Sequence, residues 1–343
     1  MNVKQHLVLI RDLHDLYKTR PLQSYQNVSY ANWYTIDPQH YWFTRFIAYW
    51  LKEQRISLRF YSEFGPRKTV QEKFQGIKVF YTGENVAPIV RHERLHYREE
   101  KVAGWSSRMK TYRDFCSDSV DLCMGFDQTG ADNYMRFPFW ILRFLSPEFG
   151  PEEIETRLEE INHMPVNLNR NGCCLIASHD FLGSRTDISD TLLHTGALDY
   201  IEFAGKYRHN TERLQQEFQN DKAAYLAQFR FNICPENMDA PFYVTEKIFD
   251  AFAGGAIPIY GGALGNPEPE IILPDSYIHW DFEGDNSEAV REVRRLREED
   301  TYYQEFMKQP RFRKGAGEYI FETYYRPLRK KLAGLIQEQS AKL

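Results

Sequence analysis

Residues 229–262, FRFNICPENMDAPFYVTEKIFDAFAGGAIPIYGG, constrain the fold more than any other segment of this chain. The alternation of Phe229, Phe231 and Ile233 with polar neighbours is typical of a β-strand. Thr245 favours a helix N-cap, and Gly254 predicts that this helix ends before a second strand begins. A strand, a loop, a helix and a second strand predict a parallel sheet, which binds ligands at the carboxyl ends of its strands.

Strand-like and helix-like runs alternate along the rest of the chain, which favours an α/β fold. The length of 343 residues suits two domains, which we expect over 1–160 and 161–343, with the C-terminal helices packing back on the first. Strands are predicted at 26–34, 56–62, 76–82, 121–126, 173–178, 229–234 and 256–260. Helices are predicted after Pro38 and at 152–164, 185–194, 211–228, 245–252 and 287–299.

Composition excludes several classes of protein. The 43 basic and 48 acidic residues give a net charge of −5, so no general nucleic-acid-binding surface is expected. No apolar run reaches the ~18 residues of a membrane span, and the first seventeen residues are too charged for a signal peptide. The five cysteines form no disulfide pattern, which favours a reducing, cytoplasmic location, and a fragment of a larger protein stays open.

The start of the helix that follows Thr245 is suited to an anion. Helix N-termini present free N–H groups and the positive end of the helix dipole, which favour phosphate. Lys247 in the first turn is unfavourable for the dipole, and an anionic ligand would remove this conflict. A Lys247 side chain that simply points into water explains the sequence equally well.

Several blocks of this sequence match a known family in order and approximate spacing. Cys-Pro-Glu-Asn at 234–237, Tyr-Val-Thr-Glu-Lys-Ile at 243–248 and Ala-Ile-Pro-Ile-Tyr-Gly-Gly at 256–262 resemble the α1,3/α1,4-fucosyltransferase family, glycosyltransferase family 10. Val-Phe-Tyr-Thr-Gly-Glu-Asn at 79–85 and Asp-Leu-Cys-Met-Gly-Phe-Asp at 121–127 are similar to blocks of its bacterial members. This resemblance extends over about residues 26–265.

The resemblance implies a GT-B fold, in which two Rossmann-like domains face a cleft. It assigns acceptor binding to the N-terminal domain and binding of the GDP-sugar to the C-terminal domain. It further implies an inverting transfer of L-fucose from GDP-β-L-fucose to a hydroxyl, O3 of GlcNAc or Glc, on an oligosaccharide or lipid-linked glycan. No cofactor and no metal ion are expected, because the sequence contains no Asp-x-Asp motif of the kind that holds a cation.

Particular residues match the functional positions of the family. Glu84 matches the proposed catalytic base, although a turn carboxylate after Gly83 is the simpler structural interpretation. The resemblance assigns pyrophosphate neutralisation to Lys247 and Arg208, a phosphate contact to Tyr243, and ribose binding to Glu246. It also assigns Glu236 and Asn237 to the fucose side, Arg185 to a further donor contact, and Asn85 and Asp127 to the acceptor side. Structural alternatives are a core position for Tyr243 and a surface position for Arg208.

A basic insertion over about residues 86–114 separates two of these blocks. From Arg91 to Arg113 it contains seven Arg or Lys residues against three Glu, which would suit an acidic or lipid-linked acceptor or a solvated surface loop. It includes His92-Glu93-Arg94-Leu95-His96, an H-E-x-x-H pattern that binds zinc in metalloproteases when it is helical. The charged Arg94 and the lack of a third ligand favour coincidence.

Other interpretations remain at this stage. A transferase for another GDP-deoxysugar, a zinc metalloprotease and a non-catalytic glycan-binding module are alternatives to fucosyl transfer. Near the C-terminus, Leu328, Leu332, Leu335 and Ile336 lie on one predicted helical face beside basic residues. This stripe would either contact an anionic membrane surface, placing the protein at the periphery of the inner membrane, or pack against the protein itself.

Overall fold

The computed structural model describes residues 18–52 and 55–342, and these residues divide into two compact units. The first unit comprises the described residues of Met1–Pro88, Glu99–Gly150 and Ile320–Leu343, and the second comprises Ile89–Arg98 and Pro151–Tyr319. The main division therefore falls at Gly150, not near residue 160, and the last helix belongs to the first unit. The first seventeen residues, which are too charged for a signal peptide, lie outside the described residues.

The first unit is built on a six-stranded sheet in which the strands follow one another in chain order. The first pair is antiparallel, and all later pairs are parallel. The strands are β1 Gln23–Tyr25, β2 Val28–Ala31, β3 Leu58–Tyr61, β4 Ile77–Tyr81, β5 Leu122–Gly125 and β6 Tyr134–Arg136. Each of the four predicted strands of this half is present but shorter, and the sequence prediction missed β1 and β6.

The first helix of the first unit packs against the core mainly through aromatic side chains. In the first helix, Trp42, Phe43, Phe46 and Ile47 are buried on one face, as the repeat of four predicted. The helices are α1 Trp42–Trp50, α2 Arg67–Gln71, α3 Glu99–Met109, α4 Phe139–Phe144 and α13 Arg326–Ser340, the last preceded by a π-helical turn at Phe321–Tyr325. Leu328 and Leu332 of α13 are fully buried, so this part of the apolar stripe packs against the protein.

The second unit contains a five-stranded, fully parallel sheet in the order β11-β10-β9-β7-β8. Its strands are β7 Cys173–Leu175, β8 Ile201–Phe203, β9 Phe231–Ile233, β10 Ile257–Tyr260 and β11 Ile278–His279. Every residue of β7, β9 and β10 is buried, as expected for strands covered by helices on both faces. The strand-loop-helix-strand unit predicted over 229–262 is confirmed.

The helices of the second unit differ from the prediction at 211–228, and the helices at Asp300–Lys308 and Ala316–Ile320 were not predicted. A single helix predicted over 211–228 is replaced by two short helices, because Gln219 and Asn220 take left-handed backbone angles and Asp221 caps the second. The helices are α5 Pro151–Asn162, α6 Ser184–His194, α7 Arg213–Gln216, α8 Lys222–Leu226, α9 Lys247–Gly254, α10 Ser287–Glu298, α11 Asp300–Lys308 and α12 Ala316–Ile320.

Two further properties of the described residues are the lack of a helix that could span a membrane and the state of the cysteines. Among residues 18–52 and 55–342, no helix combines the length and apolar character that crossing a bilayer requires. All five cysteines are described, and each is a buried free thiol. Burial raises the pKa of Cys116 and of Cys123 to about 12, so both thiols are protonated at neutral pH.

Candidate functional site

In the second unit, the loops that follow β7 and β9 carry most of the predicted donor-binding residues. Glu236 and Asn237 follow β9, and Arg185 lies in the helix after β7. Because neighbouring parallel strands end at one edge of the sheet, these side chains converge there. Arg185, Glu246 and Lys247 line one pocket at this edge.

Glu236 is the centre of a buried hydrogen-bond network at the start of α9. Its side chain is buried, and its carboxylate accepts hydrogen bonds from Thr245 N at 2.7 Å and Thr245 Oγ1 at 2.6 Å. The Lys247 ammonium donates to the same carboxylate at 3.0 Å, and the Tyr260 hydroxyl donates at 3.2 Å. Burial lowers the pKa of Lys247, but the charges of Glu236 and Glu246 outweigh it and raise that pKa. Lys247 is therefore a cation fixed at the pocket.

Thr245 was predicted to cap α9, and this prediction is wrong. The helix begins at Lys247 with Glu246 at the N-cap position, and no side chain caps it. The Thr245 hydroxyl donates to Glu236 instead, because a buried carboxylate is a stronger acceptor and needs every donor within reach. The network also requires Gly262, where a Cβ atom would lie 2.8 Å from Glu236 Cγ and the backbone φ is +154°.

Arg185 connects the loop after β7 to the loop after β9. Its Nη2 donates to Asn237 Oδ1 at 2.8 Å, and its Nη1 donates to the His179 carbonyl oxygen at 2.6 Å. The Asp180 carboxylate accepts from the backbone N–H of Thr186 at 2.8 Å and caps the helix. Burial and the positive charge of Arg185 lower the pKa of His179 to about 4, so this imidazole is neutral at pH 7.

The structure does not bring Arg208 into this network. Its guanidinium forms a two-pronged ion pair with the Asp190 carboxylate on α6, with an Nη2 to Oδ2 distance of 2.9 Å. Arg208 also has a left-handed backbone, with φ of +47°. Tyr243 is fully buried beside the start of α9. The described hydrogen bonds therefore join Arg185 to Asn237 and Lys247 to its neighbour Glu236, while Arg208 is held on the outside of α6.

In the first unit, Glu84 lies in a tight turn directly after β4. Its backbone N–H donates to Thr82 Oγ1 at 3.1 Å, and the Thr82 hydroxyl donates back to the Glu84 carbonyl at 3.2 Å. The buried Asn85 side chain accepts from Ala87 N at 2.8 Å and locks the turn. The Glu84 side chain is half-buried, so a rigid turn holds a carboxylate at the carboxyl edge of the sheet.

Asp127, predicted to lie on the acceptor side, follows β5, the neighbour of β4 in the sheet. Its Oδ1 accepts from Gln128 N at 2.7 Å, and its carbonyl oxygen accepts from the Tyr134 hydroxyl at 3.0 Å. Glu84, Asn85 and Asp127 therefore follow adjacent parallel strands and share one edge of the sheet.

Glu63 follows β3 on the same edge and was not among the predicted site residues. This carboxyl group is completely buried and accepts a hydrogen bond of 2.5 Å from the Ser62 hydroxyl. Arg108 donates to the Glu63 carbonyl oxygen at 2.9 Å. Burial raises the pKa of Glu63 above its ordinary value. The sequence places Glu63 just past a predicted strand, as it places Glu84, but it does not show that the side chain is buried.

Substitution of Glu63 by glutamine should stabilise the protein at neutral pH and not at acidic pH. Folding raises the pKa of this carboxyl group, so its ionisation destabilises the folded protein. This destabilisation grows as the pH rises from the pKa of the unfolded state to the pKa of the folded state. We expect Glu63→Gln to gain about 1.4 kcal/mol at pH 7.5 for each unit by which the pKa is raised. Urea unfolding at pH 5.0 and 7.5 measures this, with the exposed Glu72→Gln as control. A variant less stable than wild type at pH 7.5 would contradict a raised pKa.

The H-E-x-x-H pattern does not form a metal site. Residues 92–96 form a turn and not a helix, so His92 and His96 do not share a helical face. His92 Nδ1 lies 3.2 Å from Glu283 Oε1, His92 Nε2 lies 3.3 Å from Asp239 Oδ2, and Leu95 belongs to the core of the second unit. Throughout the described part of the chain, no group of three or more His, Cys, Asp or Glu side chains is arranged to hold a metal ion.

Two family models match this chain in sequence. Residues 28–143 match the model described as the α-(1,3)-fucosyltransferase FucT N-terminal domain, and residues 170–316 match the C-terminal model of glycosyltransferase family 10 (fucosyltransferase). The α-(1,3)-fucosyltransferase FucT of Helicobacter pylori is 25% identical over 255 residues, which cover 69% of this chain and 50% of that protein. The chain thus spans half the length of this relative.

Solved structures of an α1,3-fucosyltransferase resemble this chain over most of its length. The structure with GDP has a TM-score of 0.57 at 18% identity and covers 96% of this chain and 97% of that chain. The structure with GDP-fucose has a TM-score of 0.50 at 18% identity and covers 81% of this chain and 77% of that chain. At this identity the likeness establishes the fold, which is GT-B with two Rossmann-like units.

Proposed function

The chain belongs to glycosyltransferase family 10, and we propose that it transfers L-fucose from GDP-β-L-fucose to a hydroxyl of a glycan acceptor. The observation that carries this proposal is the pocket at the strand ends of the second unit, lined by Arg185, Glu246 and Lys247. Two cations beside a carboxylate suit a nucleoside diphosphate, whose pyrophosphate needs positive charge and whose ribose offers hydroxyl groups. The fucosyltransferase structure with bound GDP-fucose supports this donor.

The reaction that we propose is an inverting single displacement. The acceptor hydroxyl oxygen, O3 of GlcNAc or Glc, attacks C1 of fucose as the bond from C1 to the phosphate oxygen breaks. The hydroxyl proton passes to the Glu84 carboxylate, and the bonding electrons leave with GDP. The fixed turn after β4 supports Glu84 as the base, because a general base must be held in position.

Charge on the departing GDP is neutralised in this proposal by Lys247 and Arg185, with a contribution from Arg208 if it exchanges Asp190 for phosphate. Glu246 binds the ribose and Tyr243 a phosphate oxygen. Because both carboxylate oxygens of Glu236 are engaged, we propose that Glu236 positions Lys247, while Asn237 lies beside the fucose. These fixed cations support a transfer that needs no metal ion.

The acceptor in this proposal is an oligosaccharide or a lipid-linked glycan that binds near Asn85 and Asp127 of the first unit. A peripheral membrane contact through α13 has less support, since Leu328 and Leu332 are buried within the protein. The half-buried Leu335 and Ile336 are the remaining apolar residues of that stripe.

The test is release of GDP from GDP-fucose, with and without N-acetyllactosamine, in the presence of EDTA. Acceptor-dependent release that EDTA leaves unchanged is the expected result. Tight GDP binding without release would redirect the proposal to another GDP-deoxysugar or another acceptor. Absence of GDP binding would overturn the donor assignment of the second unit.

A further inference from the structure

The first unit contains an open groove of about 380 Å³ between the start of α1 and the end of α4. Tyr34, His40 and Tyr41 line one side of it, and Arg143 and Phe144 line another. None of these residues belongs to the sites described above. The size is ordinary for a ligand site, and polar groups dominate the lining.

The groove lies on the same edge of the sheet as Glu84. Tyr34 follows the end of β2, and its neighbour Trp33 stacks on Tyr81, the last residue of β4, with ring centroids 6.1 Å apart. At the other end, α4 starts at Phe139, whose ring lies 2.8 Å from where a Cβ atom on Gly83 would be. This helix of six residues is about 9 Å long and ends in the groove. The groove is therefore one short helix away from the Glu84 turn.

Most charged and polar groups of the groove already have partners. The two tyrosine hydroxyls of Tyr34 and Tyr41 bond to each other at 2.8 Å, and His40 Nδ1 lies 2.7 Å from Asp37 Oδ2. The Arg45 guanidinium binds the Glu148 carboxylate through two hydrogen bonds, of 2.6 and 2.8 Å. These pairs leave the tyrosine rings as a fixed surface at the groove.

Arg143 differs from these groups. Its side chain is exposed, and within the described residues no hydrogen bond or ion pair involves its guanidinium. Arg143 lines the same groove as Tyr34 and Tyr41. A planar cation with five donors next to two aromatic rings presents charge and stacking surface together.

We propose that this groove binds an acidic sugar of the acceptor glycan, whose carboxylate pairs with Arg143 and whose ring packs on Tyr34 and Tyr41. Arginine binds carboxylates through two parallel hydrogen bonds, and tyrosine combines an apolar ring face with a polar edge. The distance from the Glu84 turn assigns the groove to a sugar beyond the one that receives fucose. The inference rests on the proposed function, because it names the class of acceptor that the same enzyme uses.

The experiment compares acceptors that differ only in charge. Steady-state transfer is measured with N-acetyllactosamine and with two extended forms of it, one carrying sialic acid and one carrying glucuronic acid. We expect a lower KM for at least one acidic acceptor. Arg143→Gln should raise that KM about tenfold, change the KM for N-acetyllactosamine less than twofold, and leave kcat unchanged. Arg143→Lys should restore part of the affinity for the acidic acceptor, since lysine keeps the positive charge but cannot form two parallel hydrogen bonds to a carboxylate.

Arg55→Gln is the matched control, because Arg55 is an exposed arginine of the same unit that lies outside both the groove and the basic insertion. Equal KM values for the neutral and acidic acceptors, or equal effects of Arg143→Gln on both, would overturn the proposal. If wild type transfers to no acceptor, the proposed function has failed. Calorimetric titration with the two acidic glycans then tests whether the groove binds an acidic sugar. Binding that Arg143→Gln abolishes would support the groove, and absence of binding would refute it.

Discussion

Replacement of Glu84 by glutamine should lower kcat for fucosyl transfer by about 10²- to 10⁴-fold and leave GDP affinity unchanged. Glutamine retains the size of the side chain but cannot accept the acceptor hydroxyl proton. The turn itself is maintained by backbone groups and by Thr82 and Asn85, so the substitution should not disturb the fold. The measurement is acceptor-dependent release of GDP, together with a calorimetric GDP titration.

Glu338→Gln provides the control for Glu84, since it makes the same chemical change at an exposed position on α13. The control should keep full activity. Retention of kcat within tenfold by Glu84→Gln would exclude Glu84 as the base. A parallel loss of GDP binding would point to an altered fold instead of lost proton transfer.

Substitution of Glu236 is expected to lower both the free energy of unfolding and the affinity for GDP. Glu236→Ala removes the acceptor of four hydrogen bonds and leaves Lys247 without its buried partner. Breaking one side of a buried ion pair typically costs about 3–5 kcal/mol, so we expect a loss of that size in the free energy of unfolding. GDP binding should weaken as well, because the Lys247 ammonium loses its fixed position at the pocket.

A double variant separates stability from binding. Glu236→Ala combined with Lys247→Met removes the unpaired charge, so it should regain part of the lost free energy of unfolding. It should not regain GDP affinity, because the cation is gone. Urea unfolding and a GDP titration on wild type and both variants measure these two quantities. A double variant as unstable as Glu236→Ala would show that the ion pair is not the source of the instability.

Residue periodicity predicted the parts of this fold that are set by local pattern. The alternation in 229–233 placed β9 correctly, and the repeat of Trp42, Phe46 and Trp50 placed α1. Both patterns reflect which side chains face a core, and burial follows directly from them. The match to the family identified the strand-end loops with Glu84 and Glu236, and the structure brings four of the predicted donor residues together.

The predictions from sequence were wrong where contacts between residues distant in the sequence determine the structure. Thr245 is a good N-cap by residue type, but Glu236, which precedes the helix, takes its hydroxyl. Glu63 was missed because a carboxylate after a strand is usually exposed, and only the packed structure shows it buried. Tertiary contacts of this kind leave no local pattern.

The connectivity of the first unit has a consequence for biosynthesis. Its helix α13, with the fully buried Leu328 and Leu332, follows the second unit in the sequence and is therefore translated after it. The apolar surface of the first unit that α13 covers therefore stays exposed until translation of the second unit is complete. Early termination after Tyr319 would damage the unit made first, and chaperone demand should fall on the nascent N-terminal half.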